Sequence, residues 1–329
     1  MAQLNPADTL PASSAQALEI FDERYIAALA VAQPSSWVDE LGESHSTPSM
    51  TTHYPMSLLS MKYVETIAGE GRFRTLGERD CELSVVEYDD GVEVELVKLL
   101  TNSFAARKWA MAPMRMLQAE QMFKLKLIAD ALHANTALCG WDDLALFHDA
   151  HLANGRNSDA GTFDNLQASA KDVVSLTNIE AECTLMAEVK DENGDALGVR
   201  PDTIAVPRQK FQGLANLLKQ DFVPNSGGTA TMRNPYGGGV FNVIELDKAG
   251  DNDANDWYLL DSKLIARGVV PWTVAKLSLP SPGFDSLSLR RFDENSDHFK
   301  KTSKIAVSSH IYYGYKFLFP HAIRKIVGA

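Results

Sequence analysis

The sequence has no apolar run approaching the ~18 residues that a membrane-spanning helix needs. Its opening residues, Met1-Ala2-Gln3-Leu4-Asn5-Pro6, hold no basic segment followed by an apolar stretch, so they do not read as a secretory signal. Cysteine is scarce. Cys81, Cys139 and Cys183 are odd in number and far apart, which argues against a disulfide framework or a zinc knuckle and for reduced thiols in a cytoplasmic product. Positive charge is also short, with 31 Lys and Arg against 43 Asp and Glu, a net charge of −12. A protein that grips nucleic acid without regard to sequence needs a basic surface to displace counterions. An acidic chain can still enclose DNA, because like-charge repulsion keeps the polymer off the wall. No self-similarity at a period of ~20–50 residues is visible, which excludes a solenoid or propeller.

Catalytic signatures are missing too. The best metal candidate is Phe147-His148-Asp149-Ala150-His151, two histidines at i and i+3 with an acid between them. It lacks the H-E-x-x-H pattern, and spacing supplies no third ligand. A polar loop is the favoured reading, with a metal-dependent hydrolase using His148 and His151 as the alternative from a different class. Asp251-Asn252-Asp253-Ala254-Asn255-Asp256 resembles a calcium loop. However, Asp256 stands where the loop needs glycine and Ser262 where it needs glutamate, so it reads as an acidic surface turn. Gly237-Gly238-Gly239 precedes a strand instead of following one, and no Lys-Ser/Thr opens a helix after it, so no phosphate loop is present. We assign no catalytic residue, no metal ligand and no cofactor from the sequence.

What the sequence does contain is ordinary for a soluble globular protein: 45% apolar and 22% charged residues over 329 positions, enough for one large domain or two interlocked ones. Residues 14–31 predict a helix, with Leu18, Phe21, Tyr25 and Leu29 on one stripe and Ser13 or Ser14 as cap. Residues 33–52, rich in Ser, Pro, Thr and His, read as an extended linker. One helix and a linker bury little, so this region must lean on its own main domain or on a neighbour. Residues 82–88 and 92–97 predict two strands, and Asp89-Asp90-Gly91 between them is a hairpin turn signal.

The strongest helical signal covers 103–134, where Ala112, Met116, Ala119, Phe123, Leu127 and Ala131 recur at gaps of three and four. Pro113 should start the regular part or kink it, leaving a helix of about 32 Å. Residues 139–166 are irregular. A further helix is expected over 178–190, opened by a Thr177–Glu180 capping box and closed by a turn at Asp191–Asp195. A buried strand at 202–207, a helix at 208–219, and strands at 240–247, 257–260, 286–291 and 304–319 complete an α+β order.

The segment 146–207, with LFHDAHLANGRNSDAGTFDNL and then AECTLMAEVKDENGDALGVRPDTIAVP, resembles the major head subunit family of Mu-like phages and prophages. The resemblance lies in Leu146-Phe147-His148 with His151 and Asn154, the helix ending at Asp191 and Gly194, and Arg200-Pro201-Asp202. It continues through the helix 211–218, Asn234-Pro235 and Trp257-Tyr258-Leu259-Leu260-Asp261. It is strongest over residues 146–262, and elsewhere it rests on element order. The family implies a Hong Kong 97-like capsid fold. The N-terminal arm would span 1–55, the extended loop 56–102, the peripheral domain with its spine helix 103–174, the axial domain 175–285, and the return strands 286–329.

It also implies a non-enzymatic major capsid protein. Such a protein self-assembles into pentamers and hexamers of an icosahedral head, built in the bacterial cytoplasm and found in the virion. Double-stranded DNA would be enclosed without sequence-specific binding, with scaffolding, portal and decoration proteins as partners and no membrane. An encapsulin-like nanocompartment shell is the alternative within this fold.

Overall fold

The computed structural model describes residues 10–29, 36–56, 79–224, 231–246, 249, 253, 255–278 and 288–329. In chain order the helices and strands begin with α1 (Ser14–Leu29), α2 (Trp37–Leu41), β1 (Glu43–Thr47), β2 (Thr51–Met56), β3 (Arg79–Ser84) and β4 (Val86–Glu95). Next come α3 (Leu96–Thr101), α4 (Ser103–Ala134), β5 (His151–Leu152), β6 (Thr162–Phe163), β7 (Leu166–Lys171) and α5 (Leu176–Ala187). Then follow β8 (Thr203–Val206), α6 (Arg208–Lys219), β9 (Phe222–Pro224), β10 (Thr231–Arg233), β11 (Asn242–Glu245) and β12 (Trp257–Leu260). The chain closes with α7 (Ser262–Ala266), β13 (Trp272–Leu277), β14 (Ser288–Phe292), α8 (Asp297–Thr302), β15 (Lys304–Phe317) and β16 (Ile323–Gly328).

Two five-stranded sheets organise this α+β fold. In the first, β15 carries β4 along one edge and both β13 and β14 along the other, and β1 joins parallel to β13. The second has the order β11-β8-β12-β16-β7. Its central strands β8 and β12 are buried at every position, as the apolar runs Thr203–Val206 and Trp257–Leu260 require. The main core is continuous from the C-terminal half of α4, through Ile128 and Leu132, to Trp257, Trp272 and Phe317.

The Asp89-Asp90-Gly91 hairpin expected from the sequence does not form. Residues 86–95 run as one ten-residue strand, paired in register with Lys304–Tyr313. Gly91 is not among the positive-φ glycines, so the backbone a type I′ turn needs is absent. Gly91 instead permits close approach, since a Cβ there would lie 3.1 Å from the Val307 carbonyl oxygen. The ladder offered by β15 outweighs the local turn preference, and β3 pairs with β2 instead. Leu96, expected in the second strand, begins α3.

The spine is a single 32-residue helix, α4, about 48 Å long at ~1.5 Å per residue. Asn102 caps its start by accepting the Phe104 N–H at 2.9 Å, and Asn135 ends it in the left-handed region at φ 48°. Pro113 sits inside the helix, which continues through it. The buried side is rotated from the expected stripe. Of the expected residues Ala112 and Ala131 are buried, Met116, Phe123 and Leu127 are half-buried and Ala119 is exposed, while Ala106, Trp109, Leu117, Leu125, Ile128 and Leu132 are buried beside them. The reason is that α4 serves two clients. Its first half seats α1, with the Trp109 indole donating to the Ala17 carbonyl at 2.8 Å, and its second half enters the main core.

Helix α5 begins at Leu176, ahead of the expected start, so Thr177 and Glu180 lie inside it and form no capping box. Asn178 holds the chain before the helix by donating to the Asp172 carbonyl at 2.8 Å. The linker expected at 33–52 contains α2, β1 and the start of β2, while residues 30–35 lie outside the described set.

β3 crosses β15 at Gly314, where a Cβ would come within 2.3 Å of the Ser84 carbonyl oxygen. Gly314→Ala is therefore expected to lower unfolding free energy by at least about 2 kcal/mol, because backbone cannot yield as a side chain does. A urea midpoint unchanged from wild type would contradict this crossing.

Candidate functional site

The two histidines singled out in the sequence lie side by side, ring centroids 5.8 Å apart and edge to face, but both nitrogens of His151 are already engaged. His151 is fully buried. Its Nδ1 lies 2.8 Å from Asp142 Oδ2 and its Nε2 3.1 Å from the Leu146 carbonyl. His148 is half-exposed and accepts the Ala150 N–H at 3.0 Å on its own Nδ1. The hydrolase reading, which needs both rings on one metal, loses its geometric basis.

A different cluster surrounds His151. Cys139 Sγ donates to Asp142 Oδ1 at 3.0 Å, and the same carboxylate accepts the N–H groups of Leu144 and Leu152. The donor atoms of Cys139, Asp142 and His151 lie within 4.8 Å of one another. Burial alone would raise the Asp142 carboxyl, but the hydrogen bond and charge of His151, with help from Cys139, hold it down to about 2. Burial and then the Asp142 charge push the Cys139 thiol well above its ordinary value. A protonated thiol is neither a nucleophile nor a ready metal ligand. The cluster therefore acts as a hydrogen-bonded knot that closes the irregular 139–165 segment. Asn135 adds to it by accepting the Phe147 N–H at 3.0 Å and donating to its carbonyl at 2.8 Å.

Beside this knot lies His321, completely buried against Trp141 and Phe163, with both ring nitrogens unpartnered among the described residues. Burial and then the neighbouring His151 push its pKa down to about 3, so it is neutral at pH 7.

The acidic turn brings His133, Asp253 and Asp256 together, but Asp256 is already held by Lys325 at 2.8 Å and accepts the Gly328 N–H at 3.2 Å. Residues 251, 252 and 254 of that turn lie outside the described residues. Gly238 and Gly239 adopt positive φ in the turn before β11, with no helix behind them. A groove of about 760 Å³ opens between α2, α4, α6 and β11. On its floor Glu120 is held by Lys276 at 2.5 Å and by the Tyr313 hydroxyl at 2.8 Å.

Other ties bind distant parts of the chain. Arg324 of β16 meets Glu182 of α5 at 2.7 Å, with both side chains almost wholly buried, and also donates to the Asp164 carbonyl at 2.8 Å. The β2–β3 ribbon is rooted by buried Met56, Cys81 and Leu83, and among the described residues β2 and β3 pair only with each other. Its root lies so close to Gly140 that a Cβ there would be 2.9 Å from Cys81 Cβ.

Residues 98–326 match the family described as phage capsid protein. The chain belongs to that family. The fold agrees with it. A chain from a structure of Microbacterium phage Oxtober96 superposes with a TM-score of 0.51 at 11% identity, covering 91% of this chain and 94% of that one. The procapsid of bacteriophage JBD30 gives 0.51 at 13% identity, with coverage of 96% and 75%. The capsid of an empty GTA particle gives 0.50 at 12% identity, with coverage of 91% and 92%. No curated protein matches the chain.

This is a major capsid protein of the Hong Kong 97-like α+β fold. The sequence reading missed the Cys139–Asp142–His151 knot, whose members are dispersed through a segment without periodicity. The capsid protein's long helix was found because apolar residues recur at gaps of three and four from Ala112 to Ala131, over about five turns.

The buried His321 makes a testable signature. The unfolded imidazole takes up its proton near pH ~6.5, whereas the folded one does so only at about 3. Between these values the unfolded state binds more protons. The His321 contribution is therefore complete above pH ~6.5 and is lost as pH falls toward 3. His321→Phe is expected to leave stability at pH 7 unchanged or raise it by about 1 kcal/mol, since no hydrogen bond is lost. It should also flatten the decline between pH 6.5 and 5 in urea titrations. A variant with the wild-type pH slope would contradict the assignment.

Proposed function

We propose that this capsid protein assembles through pentamers and hexamers into an icosahedral head that encloses double-stranded DNA without sequence-specific contact. The observation that carries the reading is the coincidence of two results on one stretch of chain. The family match begins in α3, just before the spine helix, and ends in β16, and the same stretch holds the whole second sheet, strands β13, β14 and β15 of the first, and most of the main core. The contacts between copies are heterologous, because rings of five and six need head-to-tail surfaces. Each contact is modest, and repetition supplies the stability of the shell.

The layout proposed is an N-terminal arm over 1–55, an extended loop, a peripheral domain over 103–174, an axial domain over 175–285 and return strands over 286–329. The loop, first placed at 56–102, moves toward the β2–β3 ribbon. β2 and β3 are the two antiparallel strands that flank residues 57–78, while β4 belongs to the subunit sheet. Assembly takes place in the bacterial cytoplasm, with a separate scaffolding protein, a portal and decoration proteins as partners. The protein performs no catalysis. In support of this, the Cys139 thiol is held protonated and the Glu120 carboxylate is fully engaged.

Size-exclusion chromatography with light scattering, followed by electron microscopy, tests the proposal. Rings of five and six, or closed shells, are expected. A monomer or dimer that persists in high salt and crowding agents contradicts it. Well-formed closed shells from this chain alone would contradict the separate scaffolding protein while leaving the rest intact.

A further inference from the structure

The solvent side of α4 is unlike the rest of the chain. Phe104, Met111, Met114 and Met122 are exposed there, with Phe104 at 64% and Met114 at 56%. Arg107, Lys108, Arg115 and Lys126 are exposed on the same side of the helix. At ~100° per residue all eight fall within one arc a little over a third of the circumference. Between Ser103 and Ile128 the single acidic residue is Glu120, which is buried on the opposite side against Lys276 and Tyr313. Among the described residues none of the four basic side chains forms an ion pair, and Lys108 lies 4.6 Å over the Phe104 ring. A chain of net charge −12 thus presents a helical face about six turns long that is apolar and purely basic.

We infer that this face of the spine helix docks onto an acidic surface of a second copy of the chain, in a heterologous contact within the assembled particle. The inference rests on the shell reading above and names one of its contacts. Three observations carry it. The composition, with Met, Phe and Arg and no exposed acid, is that of a protein–protein interface core. The complement is abundant in every other copy, since acids outnumber bases 43 to 31 and α4 holds five of the bases. Finally, the face cannot pair with itself, because a twofold contact would oppose like charges along its whole length. A head-to-tail contact is what remains, and that is the kind that closes rings. The phosphate backbone of DNA is a poorer match, because four large apolar side chains gain nothing from it.

The test is photo-crosslinking in assembled rings or shells carrying Met114→benzoylphenylalanine, with cross-linked peptides identified by mass spectrometry. The expected product joins α4 to an acid-bearing peptide of a second copy outside α4. A link to nucleic acid or to another virion protein, an α4–α4 link, or no link at all in well-formed assemblies overturns the inference and leaves the shell reading standing. Failure of the wild-type chain to assemble would bring down both.

Peroxide oxidation of the unmodified chain gives an independent readout should the substituted chain not assemble. Met111, Met114 and Met122 are expected to react at least roughly tenfold more slowly in assemblies than in free subunits, while buried Met186 stays slow in both. Equal rates in the two states overturn the inference.

Discussion

The subunit depends on one strand. β15 is 14 residues long, lies close to the C-terminus, and receives β4 along one edge and β13 and β14 along the other. Its partner β4 is more than 200 residues away in sequence, so this ladder closes about two thirds of the chain into one loop. Such closure is entropically costly and slow, but the pairing it achieves is long and continuous. The consequences run outward from it. Ile305 and Val307 face Val92, Val94 and Trp109, which together seat α1 on α4. Phe317 enters the main core, and its carbonyl accepts the Gly140 N–H at 2.8 Å, which fixes the start of the 139–165 segment.

Much of this was readable in the residues wherever a segment's local preference agrees with its final environment. α4 and α6 lie within the bounds that their periodicity marks, and β8, β12 and β15 announce themselves through apolar runs. The failures have one physical cause. At Asp89-Asp90-Gly91 a sound turn signal yields to a ladder formed with residues 304–313, which no local window contains. At Thr177 a capping motif is bypassed because the helix starts earlier, at Leu176, which packs against the core. On α4 the buried side turns away from the expected stripe because Trp109 answers to α1 and not to the main core.

The candidate site was less legible, for a related reason. Two histidines three residues apart invite a metal reading, yet the partners of His151 are Asp142 and Cys139, drawn from an irregular stretch where spacing carries no direction. His321 arrives from the far end of the chain to lie against Phe163. Neither cluster has the chemistry of catalysis. One is a satisfied knot, and the other a neutral ring held in an aromatic box. A basic and apolar helical face and a ribbon that, among the described residues, pairs with itself sit on an otherwise acidic molecule.

The most direct test of this account is a cryo-electron microscopy reconstruction of particles assembled from the chain, at a resolution that traces individual strands. The account predicts a closed shell in which Val86–Glu95 passes straight through Asp89-Asp90-Gly91 along Lys304–Tyr313, with α4 as one unbroken helix beside it. A hairpin at Asp89-Asp90-Gly91 that leaves β15 unpaired on that edge would contradict the strand-centred subunit, and particles that never close would contradict its role as a shell.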